Sequence, residues 1–159
     1  MVRIPLLIGA TLLATGLLLA GCASDVVDHD NGRWLVTHRA GETDYEMGDQ
    51  VLFATDSAGV SPRAYDLIAS VAADARRNAR ARLEVQGFTD TSGSHDHNMT
   101  LSQARAERVA DMLVRHGVRP ERILARGYGE TRLAVKTGDG VKEARNRRVV
   151  IRILDARSS

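Results

Sequence analysis

The chain has 159 residues, 43% of them hydrophobic and 26% charged, with a net charge of +2. That suits one soluble domain with an additional segment at an end. Aromatic residues make up 4%, and the basic pairs Arg76-Arg77 and Arg80-Ala81-Arg82 are not interleaved with stacking rings, which argues against nucleic-acid binding; they read as a solvated helix end.

Met1-Val2-Arg3 is followed by an apolar run over residues 4–20 and then Leu19-Ala20-Gly21-Cys22. A basic start, a short apolar stretch and small residues before a cut are the anatomy of a secretory signal. An uncleaved membrane anchor is the competing reading, and the run is short for a span of about 20 residues. Leu19-Ala20-Gly21-Cys22 resembles a bacterial lipobox. That likeness implies a signal peptide over 1–21 and lipidation of Cys22, with Ala23 compatible with sorting to the outer membrane. Cys22 is the sole cysteine, so no internal disulfide is available. Residues 22–42 are expected to be the lipidated N-terminus and a polar tether, with Trp34-Leu35-Val36 either opening a peripheral strand or packing on the domain edge.

A folded domain is expected over 43–156. Gln50-Val51-Leu52-Phe53 is a candidate strand. Ser61-Pro62 has the form of an N-cap with proline at the first helical position, and Leu67, Ile68, Val71, Ala72 and Ala75 mark one face of the helix that follows. Residues 83–88 alternate as a half-buried strand does. After a loop through 94–97, Leu101, Ala104, Val109, Met112 and Leu113 recur at helical spacing, up to Gly117 as a C-terminal glycine. Pro120-Glu121-Arg122-Ile123 turns into a third strand, Gly127-Tyr128-Gly129-Glu130 is a strand-end turn, 130–141 is a loop, and 149–154 is a final strand. The expected fold is a compact two-layer α/β domain of βαβαββ order, with helices packed on a mixed sheet.

Asp90 leaves the C-terminal end of a strand, where open α/β sheets present ligand groups, and Arg105 lies in the next helix. An acid and a base on separate rigid elements can grip a zwitterion. Asp90 is equally a common turn residue, and Arg105 reads alternatively as a surface arginine paired with Glu84 or Asp90.

Three pieces occur in order: Thr89-Asp90-Thr91-Ser92-Gly93, Asn98-Met99-Thr100-Leu101-Ser102-Gln103-Ala104-Arg105-Ala106, and Asn146-Arg147-Arg148-Val149. With Gly127-Tyr128-Gly129-Glu130 between them, this pattern resembles the OmpA-like peptidoglycan-binding domain over roughly residues 51–154. The resemblance implies non-covalent binding to diaminopimelate-type peptidoglycan, with Asp90 on the ammonium and Arg105 on a carboxylate of diaminopimelate. Arg147 is a further carboxyl contact or a structural ion pair. Thr89, Asn98 and Leu101 sit at motif positions that line or brace the loop. Asn98 is alternatively a helix N-cap and Leu101 alternatively core, while Ser102 braces the helix backbone. Many members carry His before Thr-Asp where this chain has Phe88, which bears on ligand orientation.

The implied whole is an outer-membrane lipoprotein facing the periplasm that ties membrane to wall, with no cofactor and no enzymatic activity. An alternative is a periplasmic module that docks a protein partner, for which an apolar patch on 34–36 or 65–71 would speak. A third reading is a metal hydrolase using His95, His97, Asp90 and Asp96. Ligands two residues apart in one loop do not fix a tetrahedral site, and no HExxH, P-loop or GxSxG sequence is present.

Overall fold

The computed structural model describes residues 25–29, 34–53 and 60–155. The expectations for the signal segment 1–21, Cys22 and residue 156 lie outside the described residues. Six strands form one sheet in the order β1-β2-β3-β6-β4-β5. They are β1 (Asp25–His29), β2 (Trp34–Arg39), β3 (Glu42–Gly48), β4 (Arg82–Phe88), β5 (Ile123–Gly127) and β6 (Arg148–Leu154). β4 and β5 are parallel, and the other pairs are antiparallel. This is the expected mixed sheet.

Period-two alternation sets the two faces of the sheet. Tyr45 and Met47 of β3, Leu83 and Val85 of β4, and Val149, Ile151 and Ile153 of β6 all belong to the core. Against them pack α2 (Pro62–Arg77), through Ile68, Val71, Ala72 and Ala75, and α3 (His95–Arg115), through Ala106, Val109, Met112 and Leu113. The other sheet face carries charge. Arg152 reaches Asp44 through two nitrogens at 2.8 and 2.9 Å, and Arg39 reaches the same carboxylate at 2.8 Å.

Several elements start and stop as their caps dictate. Ser61 Oγ accepts from Ala64 N at 3.1 Å, with Pro62 at the first helical position. Gly117 closes α3 with φ +87°, a backbone region open to glycine. Pro120–Arg122 is a short 3-10 turn, and its Arg122 has a second role. The buried guanidinium donates to the carbonyls of Ala75, Asn78 and Ala81 at 2.7–2.8 Å, satisfying acceptors at the end of α2 and in the turn that leads to β4.

Four expectations are corrected. Residues 50–53 are not a strand: α1 (Asp49–Leu52) is a single helical turn, and Phe53 makes only an isolated bridge to Val60. Short apolar runs do not distinguish helix from strand. The first strand of the layer is instead β3. Second, the stretch expected to be a tether is partly sheet, because β2 pairs with β3 and β1 with β2, and Trp34-Leu35-Val36 opens β2. Third, α3 begins at His95, inside the expected loop, with Ser94 rather than Asn98 as its cap. Finally, Ala104 is exposed and not part of the buried face of α3.

α3 lies unusually close to the sheet. A Cβ on Gly87 would stand 2.1 Å from the Ser102 carbonyl oxygen, and one on Gly127 would stand 2.4 Å from the Gln103 nitrogen. Gln103 Oε1 accepts from Gly127 N at 2.6 Å, and Ser102 Oγ accepts from Gly129 N at 2.8 Å. Two glycines therefore seat the helix that carries Asn98 and Arg105. Gly87→Ala should destabilise the protein by about 1–3 kcal/mol or more, because the contact is with backbone that cannot swing aside. Urea unfolding measures this, and an unchanged midpoint would contradict the close seating.

Candidate ligand-binding site

β4 ends at Phe88, and Thr89 and Asp90 leave the sheet at its C-terminal edge. Thr89 N donates to Gly129 O at 2.9 Å, tying this exit to the turn after β5. Asp90 is 2% exposed. Its Oδ1 accepts from Ser92 N at 3.2 Å and from Ser92 Oγ, and its Oδ2 accepts from Glu143 N at 3.1 Å and Arg147 Nη1 at 2.7 Å.

The arginine just before β6 is the hinge of the cluster. Arg147 Nε donates to Asp49 Oδ2 at 2.9 Å while its Nη1 holds Asp90. Arg105 Nη2 reaches the same Asp49 oxygen at 3.5 Å, and its guanidinium lies 5.5 Å from the centroid of the Phe53 ring. Asp49, Asp90, Arg105 and Arg147 thus form one chain of alternating charge. The alternative reading paired Arg105 with Glu84 or Asp90; its ion pair is instead with Asp49. Burial, ahead of the neighbouring Asp49 charge that opposes it, leaves the Arg105 pKa below its ordinary value.

Asn98 is 1% exposed in the first turn of α3, where it donates to Asp90 O at 3.1 Å and Glu130 Oε2 at 2.5 Å. It braces the loop. Leu101, one turn before Arg105, is half-buried. Ser102 Oγ donates to Met99 O at 2.9 Å besides accepting from Gly129, so its hydroxyl is occupied structurally. Asn146, fully buried, clamps Val135 through both its N–H and its carbonyl at 2.8 Å. Thr91 Oγ1 holds the far end of the same loop at Gly138 and Val141. These bonds aim the Glu143 amide at Asp90.

Three buried atoms around this cluster have no hydrogen-bond partner among the described residues: Asp49 Oδ1, Thr89 Oγ1 and Arg105 Nη1. Buried polar groups left unmatched are costly, roughly 1–3 kcal/mol each, and here three of them gather around one charge cluster. Asp49 was not expected from the sequence. It follows Gly48 at the end of β3, a strand not among those expected from the sequence, so its place at a strand end is hidden there.

The chain matches the OmpA family over residues 52–147. It belongs to the OmpA family. Among its relatives is the probable lipoprotein YiaD of Escherichia coli, 35% identical over 105 residues, covering 66% of this chain and 48% of that protein. The peptidoglycan-binding protein ArfA of Mycobacterium bovis is 35% identical over 104 residues, covering 65% of this chain and 32% of ArfA. The chain thus spans half or less of these relatives' length. Among solved structures, the cell wall anchor of the T6SS from Pseudomonas aeruginosa superposes with a TM-score of 0.67 at 28% identity, covering 77% of this chain and 88% of the other.

Within this OmpA-family domain, Phe88 is 3% exposed. Its ring stacks on Tyr128 at 5.4 Å between centroids, and the Arg148 guanidinium lies 4.0 Å over it. The ring at the position where a histidine is common in the family is therefore a packing platform. The candidate metal ligands do not assemble: Asp90 is committed to Ser92, Glu143 and Arg147, and His95 Nδ1 lies 3.6 Å from Glu130. Among the described residues, no three His, Cys, Asp or Glu side chains converge, and no helix is long and apolar enough to cross a membrane.

Burial pushes the Asp90 carboxyl up, but hydrogen bonds from Ser92, Arg147 and the Glu143 amide outweigh it and hold the pKa below the ordinary value. A carboxyl whose folded pKa is depressed contributes stability above its unfolded pKa, about 3.9, and loses it as pH falls through the folded value. Asp44 is lowered in the same sense: burial is outweighed by bonds from Arg152 and Arg39. Wild-type stability should therefore fall as the pH drops below about 4. Asp90→Asn should be less stable at neutral pH and show a shallower acid decline. Urea titrations across pH test this, and parallel declines for the two proteins would exclude the linkage.

Proposed function

We propose that this chain binds peptidoglycan non-covalently through the diaminopimelate of the stem peptide and ties the outer membrane to the cell wall. The observation that carries the reading is the desolvated, charge-alternating cluster of Asp49, Asp90, Arg105 and Arg147, with its unmatched polar atoms, at the C-terminal end of β4. The free end of a diaminopimelate side chain is a zwitterion. An ammonium and a carboxylate on one carbon find oppositely charged partners in such a cluster, in fixed positions and partly shielded from water. Arg105 supplies a planar donor fork for the carboxylate. The names of ArfA and of the T6SS cell wall anchor support the wall as the target. The site reads as a binding site and not a reaction centre: the Ser102 hydroxyl is engaged by backbone groups, and His95 lies against Glu130.

The membrane end rests on Cys22. Its place after Leu19-Ala20-Gly21 supports lipidation, and YiaD carries the description of a probable lipoprotein. Each buried methylene contributes about 0.8 kcal/mol, so more than one acyl chain anchors stably. Lipid at one end and wall at the other resist detachment better than either contact alone. Docking of a protein partner has less support. Among the described residues, the exposed large apolar side chains Tyr65, Val114, Leu124 and Val141 fall on α2, α3, β5 and a loop, and of the stretches 34–36 and 65–71 only Tyr65 is among them.

Two experiments test the two ends. In co-sedimentation with diaminopimelate-type sacculi, the full chain in mild detergent should pellet. Arg105→Ala and Asp90→Asn should bind roughly tenfold more weakly or worse, the loss of a charge-assisted bond. Pelleting of both variants at the wild-type level would sink the assigned site. In fractionated cells, Cys22→Ser should leave the outer-membrane fraction, and membrane retention of that variant would refute the lipid anchor.

A further inference from the structure

The six strands share one rung near the end of the sheet opposite the candidate site. Asp25, His38, Thr43, Ile153, Leu83 and Ile123 face one another in turn across β1, β2, β3, β6, β4 and β5. Phe88 lies about 17 Å further along β4 at the usual rise per residue, and Asp90 beyond it. α2 and α3 both end beside the rung. Arg122, just before Ile123, donates to the carbonyls of Ala75 and Asn78 at the end of α2. Arg76 Nη1 donates to His116 O, at the end of α3, at 3.0 Å.

This end is rich in arginine. Arg76, Arg77, Arg80, Arg82, Arg115 and Arg119 are all exposed. Arg77 pairs with Asp74 and Arg119 with Glu121. Among the described residues, no acid stands within ion-pair distance of Arg76, Arg80, Arg82 or Arg115. Asp111, one turn before Arg115, and Asp155, which accepts from Asn78 Nδ2 at 2.6 Å, reduce the positive surplus without removing it. Cations in a last helical turn oppose the helix dipole, which accounts for Arg76 and Arg115. Arg80 and Arg82 lie beyond α2, in the turn into β4 and at its first residue. The dipole does not explain them.

The sequence brings the membrane to the same end. Cys22 precedes Asp25 by three residues, and three residues of chain span at most about 11 Å. β1 begins at Asp25, on the shared rung. Lipid on Cys22 would therefore hold this end of the sheet near the headgroups, at a distance comparable to the Debye length of about 8 Å. β4 stands four places along the sheet from β1, about 19 Å away at the usual strand spacing. Lipid and arginines are thus two separate feet of one base. A basic side chain so close to an anionic surface strengthens attachment severalfold.

We infer that the arginine-rich end of the domain, around Arg80, Arg82 and Arg115, docks on anionic phospholipid headgroups beside the lipid anchor. The domain then stands on the membrane with its Asp90 end turned away, toward the wall. This inference rests on the reading of Cys22 as lipidated.

The test uses the lipidated protein, purified in mild detergent and reconstituted into vesicles whose headgroups carry a nitroxide quencher. A fluorophore is placed on Ala79→Cys, in the turn after α2, or on Asp139→Cys, in the loop that bonds Thr91 at the opposite end. In phosphatidylcholine vesicles containing phosphatidylglycerol, the label at 79 should be quenched several times more strongly than the label at 139. That contrast should shrink severalfold in pure phosphatidylcholine, in high salt, and in the triple variant Arg80→Glu, Arg82→Glu, Arg115→Glu. The lipid and salt comparisons involve no charge variant, so they decide whether or not the triple variant folds. Equal quenching at 79 and 139, or a contrast indifferent to lipid charge and salt, would overturn the docked orientation and leave the lipid anchor standing. Failure to float with vesicles of either composition in a density gradient would overturn the anchor, and this inference with it.

Discussion

Everything at the candidate site depends on how closely α3 lies against β4 and β5. Gly87 and Gly127 stand where any side chain would enter the backbone of Ser102 or Gln103, so the helix settles until its amides and side chains bond the strand ends directly. That contact fixes Asn98 under the loop carrying Asp90, and sets Arg105 within reach of the end of β3. The site is thus assembled by packing before any charge is considered. The two glycines give up side-chain burial of their own, and the precision of the site is the return.

Charge then completes what packing begins. β6 lies between β3 and β4, so an arginine just before its start is close to the ends of both neighbours. Arg147 uses that position to bridge Asp49 and Asp90, residues 41 apart in sequence. Isolated charges buried there would be expensive, and pairing offsets most of that cost. It does not remove it at Arg105, where burial dominates. Binding sites often keep such an imbalance, because a ligand that supplies the missing partner is recognised by the relief it brings.

The sequence makes some of this legible and hides the rest for physical reasons. Ser61-Pro62 and the apolar face that follows announce α2, because capping and periodicity are local. Asp90 is visible because it directly follows an alternating strand. Asp49 is hidden because its partners lie 56 and 98 residues away, and nothing nearby signals a long-range pairing. Residues 50–53 mislead because four residues are too few to show a period. The early strands mislead for another reason. β2 ends in exposed His38 and Arg39, the polar dress of strands near a sheet edge, which resembles a linker when read alone.

The four-residue cluster contains two acids and two bases, and so it sums to zero. Seen from beyond a Debye length, about 8 Å in physiological salt, these groups project little monopole field. They do not draw anions or cations from a distance as a one-signed cleft does. The zwitterion of the proposed function is also neutral as a whole, so under that reading neither party would gain from long-range steering. Encounter would then be left to diffusion and to the local density of the partner. Ionic strength should touch arrival only weakly, and selectivity is exercised at contact, where dipoles align within a few ångströms.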